Sequence, residues 1–141
     1  LELNAKELAH RNNKNSELTI YGYTPMMVSV QCVQKTMDHC NHACVQYVLK
    51  DRYQKEFRGV CSCEFCYNTI YNTLPTSLLK EKEKAEKLGV KAYRLSFTTE
   101  TQQETEKIVR AFVDVYLRGQ KPDGQMQTEE TTKGHFQRGV E

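Results

Sequence analysis

The sequence predicts an α/β protein: βα units with a small antiparallel, cysteine-bearing β insertion. Three features carry that reading. After Pro75 an amphipathic helix, an alternating strand and a second amphipathic helix follow one another, which is the grammar of βα repeats. Ahead of them, Glu17-Leu18-Thr19-Ile20-Tyr21 alternates and is rich in β-favouring residues. Between the two, all six cysteines fall among short β-rich runs within residues 32–66.

Composition sets the outer limits. At 141 residues the chain is one domain's worth at most. It is 38% hydrophobic and 27% charged, and its net charge of +2 argues neither for nor against a nucleic-acid partner. No apolar run approaches the roughly 18 residues that a membrane span needs. The chain opens on Leu1, not Met, and reads as a piece of a longer protein whose remainder would be a partner. Residues 1–119 form the expected domain, 23–72 its cysteine-rich insertion, and 120–141 a polar tail, extended or mobile. The clustered cysteines and the lack of an export signal favour a reducing cytosol over a disulfide framework.

The elements follow in order. Asn4 with Glu7 forms a capping box for a helix running to about Arg11, and Asn12-Asn13-Lys14-Asn15-Ser16 is loop chemistry. The strand at 17–21 ends at Gly22. Met26 and Met27, just beyond it, read as core filling. The segment around His39, Cys40, His42 and Cys44 is too polar for a core and should be an exposed loop or helical turn. Runs at 47–53, 56–60 and 67–72 read as strands of a small antiparallel sheet. Because short strands bury little, a metal staple would supply much of the local stability. Further on, Thr76 or Ser77 caps a helix over 78–88 with Gly89 beyond its end, and Lys80-Glu81-Lys82-Glu83-Lys84 reads as a solvated face. A buried strand is expected at 90–97, with Tyr93, Leu95 and Phe97 on one side. Thr99 should cap a helix to Arg118 whose stripe is Ile108, Val109, Phe112, Val113 and Tyr116.

The chemistry lies in the cysteines. Cys63-Glu64-Phe65-Cys66 is a Cys-x-x-Cys, the loop length that lets two thiolates hold one metal. Two sulfur donors from each end of the window, Cys32 and Cys40 with Cys63 and Cys66, would make a four-ligand site for zinc or an iron–sulfur cluster. Cys44 and Cys61 would then be spare. A Cys/His catalytic pair drawn from His39, His42, Cys40 and Cys44 is disfavoured, because sequence neighbours are seldom spatial partners. No His-Glu-x-x-His is present, which disfavours a standard zinc protease.

Several stretches look familiar together. The run Tyr21-Gly22-Tyr23-Thr24-Pro25-Met26-Met27-Val28-Ser29, followed by Gln31-Cys32, resembles the collagenase-like peptidase family called U-thirty-two. So do Leu49-Lys50-Asp51-Arg52-Tyr53, Cys63-Glu64-Phe65-Cys66-Tyr67-Asn68, Ile70-Tyr71-Asn72 and Gly134-His135-Phe136. The resemblance implies part of a β/α barrel whose missing strands leave apolar edges, to be covered by a homodimer or by the parent chain. It also implies either a peptidase (a hydrolase acting on peptides) or a relative that supports hydroxylation of RNA bases or small molecules through an iron–sulfur cluster. The chain departs from the family's stricter signature: Thr19 stands for Phe, Pro25 for the first cysteine and Val30 for a glycine. Cys32, Cys40, Cys63 and Cys66 would then supply a different ligand set. A non-enzymatic zinc-stapled interaction domain is the third reading. Since barrel enzymes assemble sites from several strand ends, this chain alone should be inert towards proteins.

Overall fold

In the computed structural model, residues 3–37, 40–122 and 130–137 are described. The elements are α1 (Ala5–Ala9), β1 (Glu17–Gly22), β2 (Pro25–Ser29), α2 (Val33–Thr36), β3 (Val45–Lys50), β4 (Glu56–Ser62), β5 (Tyr67–Tyr71), β6 (Thr76–Ser77), α3 (Lys82–Lys87), β7 (Ala92–Ser96) and α4 (Gln102–Phe112). The protein is mixed α/β with two sheets, in strand orders β6-β1-β7 and β2-β5-β4-β3, and no closed barrel forms among the described residues. It divides into two compact units.

The first unit, 1–22 with 74–141, is held by an ordinary apolar core. Its parallel pair β1 and β7 joins antiparallel β6 on the other side of β1. Ile20, Tyr21, Leu78, Leu79, Leu88, Phe112, Val115 and Phe136 bury their side chains together, with Leu95 and Phe97 packed against them. The capping box at α1 forms as the sequence predicts: Glu7 N–H donates to Asn4 Oδ1 at 3.0 Å, and Asn4 N–H donates to the Glu7 carboxylate at 2.7 Å. Asn13, read as simple loop, is buried and ties two helices together by donating to Leu8 O and Leu88 O. Gly22 ends β1 at φ +150, and a Cβ there would lie 2.6 Å from the Ser96 carbonyl oxygen, so only glycine fits without strain.

Four expectations give way in this unit. Thr76 and Ser77 do not cap a helix, because pairing with β1 holds their backbone in the sheet. The chain leaves through a 3₁₀ turn, Leu79–Glu81, before α3 begins at Lys82. Glu81 is not on a solvated face. It is 8% exposed, and its carboxylate takes Lys84 Nζ at 2.7 Å and the Lys133 ammonium as well. The 90–97 strand has no buried residue: β7 lies at the edge of its sheet, paired with β1, and Leu95 and Phe97 are only partly buried against the core. Tyr93 packs edge-on against Tyr116 there, with ring centroids 5.0 Å apart. Thr101, not Thr99, caps α4: its Oγ1 accepts from Glu104 N–H at 3.3 Å. Glu100 has already folded back to accept from the N–H groups of Thr98 and Thr99.

The expected extended tail also differs over 130–137. Thr132 bridges to Thr76, accepts from Ser77 N–H at 2.8 Å and donates to Pro75 O at 2.9 Å. That anchoring places Phe136, only 6% exposed, in the core. A polar segment can thus be fixed by one strand contact, one ion pair and one aromatic anchor, none of which has a periodicity to read.

The second unit, Tyr23–Thr73, is the cysteine-bearing antiparallel sheet, with β5 and β4 central and β2 and β3 at the edges. Its packing is inverted relative to the first. The buried described residues are Tyr23, Cys32, Gln34, Gly59, Cys61, Cys63 and Asn68, with no aliphatic side chain among them. Met26, Met27, Val28, Val30, Val48 and Leu49 are exposed instead, so Met26 and Met27 are not core filling. They lie on or beside the edge strands β2 and β3, with much of each side chain open to solvent.

Candidate metal centre

Local chain geometry brings the cysteines to one end of this sheet. Cys61 closes the buried face of β4, opposite Asn68 in β5. After β4 a 3₁₀ turn, Cys63–Phe65, curls the chain so that Cys66 takes a left-handed conformation at φ 52. Cys66 N–H donates to Cys63 O at 3.3 Å and its thiol donates to the same oxygen at 3.7 Å. The Cys-x-x-Cys is therefore a tight turn that closes on itself.

The other thiols arrive from the opposite end of the window. Cys32 sits at the N-cap of α2. The buried Gln34 on that helix fastens the next loop: its Nε2 donates to Ala43 O at 2.9 Å, and its Oε1 accepts from Asn41 N–H at 3.5 Å. Ala43 N–H donates to Asn41 Oδ1 at 3.1 Å, and His42 is left-handed at φ 57. This pinned turn carries Cys40, His42 and Cys44.

The result is a group of three donors. Ligand atoms of Cys40, His42 and Cys63 all lie within 4.8 Å of one another. Tetrahedral zinc with sulfur bonds of about 2.3 Å needs its thiolates about 3.5–4 Å apart, so a side-chain adjustment of about 1 Å closes the group on an ion. The donor chemistry fits: two soft thiolates and an imidazole suit zinc, and the thiolates suit an iron–sulfur cluster.

The predicted ligands are distributed as follows. Cys40 and Cys63 belong to this group. Cys32 instead lies 3.5 Å, sulfur to sulfur, from Cys61, which is fully buried and was expected to be spare. Cys66 is exposed on the turn. All six cysteines are free thiols. His42, which the sequence offers only as a catalytic partner, joins the group. Its place in the group could have been read from the short Cys40-Asn41-His42 spacing, which puts both side chains on one turn. His39 lies outside the described residues.

Electrostatics tie the pieces together. Burial pushes the Cys61 thiol up to about 12, with the neighbouring Cys32 adding to the effect. Cys63 is likewise pushed up, first by burial and then by the charge of Cys40, with Cys32 and Cys66 contributing. Cys32 moves the other way: backbone N–H groups at the start of α2, led by Lys35, and the Cys61 thiol hold its thiolate. Buried thiols that raise one another's proton affinity are poor free nucleophiles. A cation placed among them relieves the same repulsion.

Comparison with protein-family models, with curated proteins and with solved structures finds no match. Among the described residues, no helix is long and apolar enough to cross a membrane.

Proposed function

We propose that the second unit is a metal- or cluster-binding module of a U-thirty-two-like enzyme, centred on Cys63. The observation that carries this reading is the convergence of Cys40, His42 and Cys63 inside a unit that has no buried aliphatic side chain. About 50 residues with such an interior cannot rest on hydrophobic burial alone, and metal binding is the usual substitute in small units. Cys32 and Cys66, whose charges act on Cys63, complete the proposed four-sulfur set.

When bound, an iron–sulfur cluster would supply electron-transfer chemistry, and zinc would supply cross-linking. His42 in the group favours zinc as the second reading, since Cys/His sets are common in structural zinc sites. Anaerobic purification of the full chain, followed by metal analysis and a visible spectrum, separates them. A brown protein holding iron and sulfide supports the cluster, and a colourless protein with about one zinc supports the staple. A chain that takes up neither in stoichiometric amount after reconstitution refutes the proposal.

The peptidase reading and its alternative, modification of RNA or a small molecule, rest on the family resemblance. They apply to the parent chain. Free thiols fit a reducing cytosol. The exposed Met26, Met27, Val28 and Val30 are the apolar edge that the parent chain or a second copy would cover.

A further inference from the structure

A shallow cleft of about 260 Å³ opens on the second unit, with Met27, Val33, Met37 and Ile70 forming its apolar wall. Among the described residues, none that lines it carries a charge. Most of its polar groups are already used. Thr36 Oγ1 donates to Cys32 O at 3.0 Å, and Ser29 Oγ accepts from Gln31 N–H at 3.2 Å. Asn68 Nδ2 donates to Gln31 O at 2.5 Å, which fixes which end of that amide is left over.

Two atoms remain. Tyr47 and Asn68 both line the cleft, and Tyr47 Oη and Asn68 Oδ1 are each buried without a hydrogen-bond partner. Neither arises from slack packing. Asn68 is 1% exposed. The Tyr47 ring is seated on Gly59, where a Cβ would lie only 2.4 Å from the ring carbons, so the glycine makes room for it. Buried native polar groups are nearly always satisfied, and an unmatched pair beside one cleft points to something that matches it.

We propose that this cleft binds a small neutral molecule with an amide-type edge on an apolar body. Its N–H donates to Asn68 Oδ1 and its carbonyl accepts from Tyr47 Oη. The volume falls just below the range of about 300–1,000 Å³ usual for ligand pockets, so one ring with its amide fits and a larger molecule does not. The described lining is uncharged and offers an ion nothing to repay its desolvation. The proposal stands apart from the metal reading, since no atom it uses is a proposed ligand.

Benzamide serves as the probe, titrated into the full chain with its thiols reduced and followed by methyl and side-chain amide NMR. Saturable shifts at the Met27 and Met37 methyls and the Asn68 amide are expected, with a Kd of about 1–10 mM for a molecule this small. Tyr47→Phe, which removes only the hydroxyl, should weaken binding about 5–10-fold. Benzoate, of the same shape but charged, should not bind. Absence of saturation by about 50 mM benzamide, equal binding of benzoate, or an undiminished affinity in Tyr47→Phe would each overturn the proposal. The first would mean that water fills the cleft. The benzoate comparison uses the unaltered chain, so it stays decisive whatever the variant does to folding.

Discussion

Replacing Cys63 by serine should abolish high-affinity metal binding. Cys63 is 7% exposed and belongs to the one three-donor group found among the described residues. Its donors lie within 4.8 Å of one another, against the 3.5–4 Å that tetrahedral thiolates require. Binding therefore calls for rotamer adjustment, and little of the intrinsic metal affinity is lost to reorganisation. Structural zinc sites are worth about 10–16 kcal/mol in all, so one of four ligands carries about 2.5–4 kcal/mol. At 1.4 kcal/mol per tenfold, that is about 10²–10³ in affinity. Competition against a chromophoric zinc chelator, under reducing anaerobic conditions, reads the change directly. Cys44→Ser, outside both the predicted set and the three-donor group, should shift affinity by less than about threefold and serves as the control. If Cys63→Ser binds zinc within about threefold of the unaltered chain, or Cys44→Ser costs as much, the centre has been misplaced.

The remaining predictions concern stability and activity. Lys133 and Lys84 hold the Glu81 carboxyl below its ordinary value of 4.5, so the native state favours the ionised form. That contribution is fully present above pH 4.5 and is lost as pH falls through the lowered native value. Glu81→Gln should cost about 1–3 kcal/mol in urea unfolding at pH 7 and much less at pH 3; an equal cost at both would refute the assignment. Phe136→Ala should destabilise by about 3–5 kcal/mol, seen in the same assay, whereas a loose tail would lose nothing. The Cys61 thiol, raised from 9.0 to about 12, keeps its proton in the native metal-free chain. Its contribution is complete below pH 9.0 and fades as pH rises towards 12, so a thermal midpoint that climbs between pH 9 and 11 would contradict it. Finally, the purified chain should not cleave gelatin or fluorogenic peptides, and turnover abolished by Cys63→Ser with Cys66→Ser would restore cysteine catalysis.

Local signals determined most of the elements. The Asn4–Glu7 capping box and the β-rich runs of the cysteine window depend on contacts within a few residues, and sequence displays those directly. The clustering of six cysteines likewise pointed to residues 32–66, where Cys40 and Cys63 stand with His42 in a group that could hold a metal. Tertiary structure decided the rest, because each remaining choice was between locally equivalent options. Thr76 and Ser77 could cap a helix or pair with β1, and the strand partner won because it satisfies their backbone groups and Pro75 O through Thr132 as well. Glu81 looks like its charged neighbours until Lys133 reaches it from 52 residues away. Met26 and Met27 look like core until the sheet proves to have a buried face of thiols and amides. Which cysteine meets which was settled by a pinned turn at Gln34 and a left-handed residue at Cys66, long-range and conformational facts that spacing does not encode.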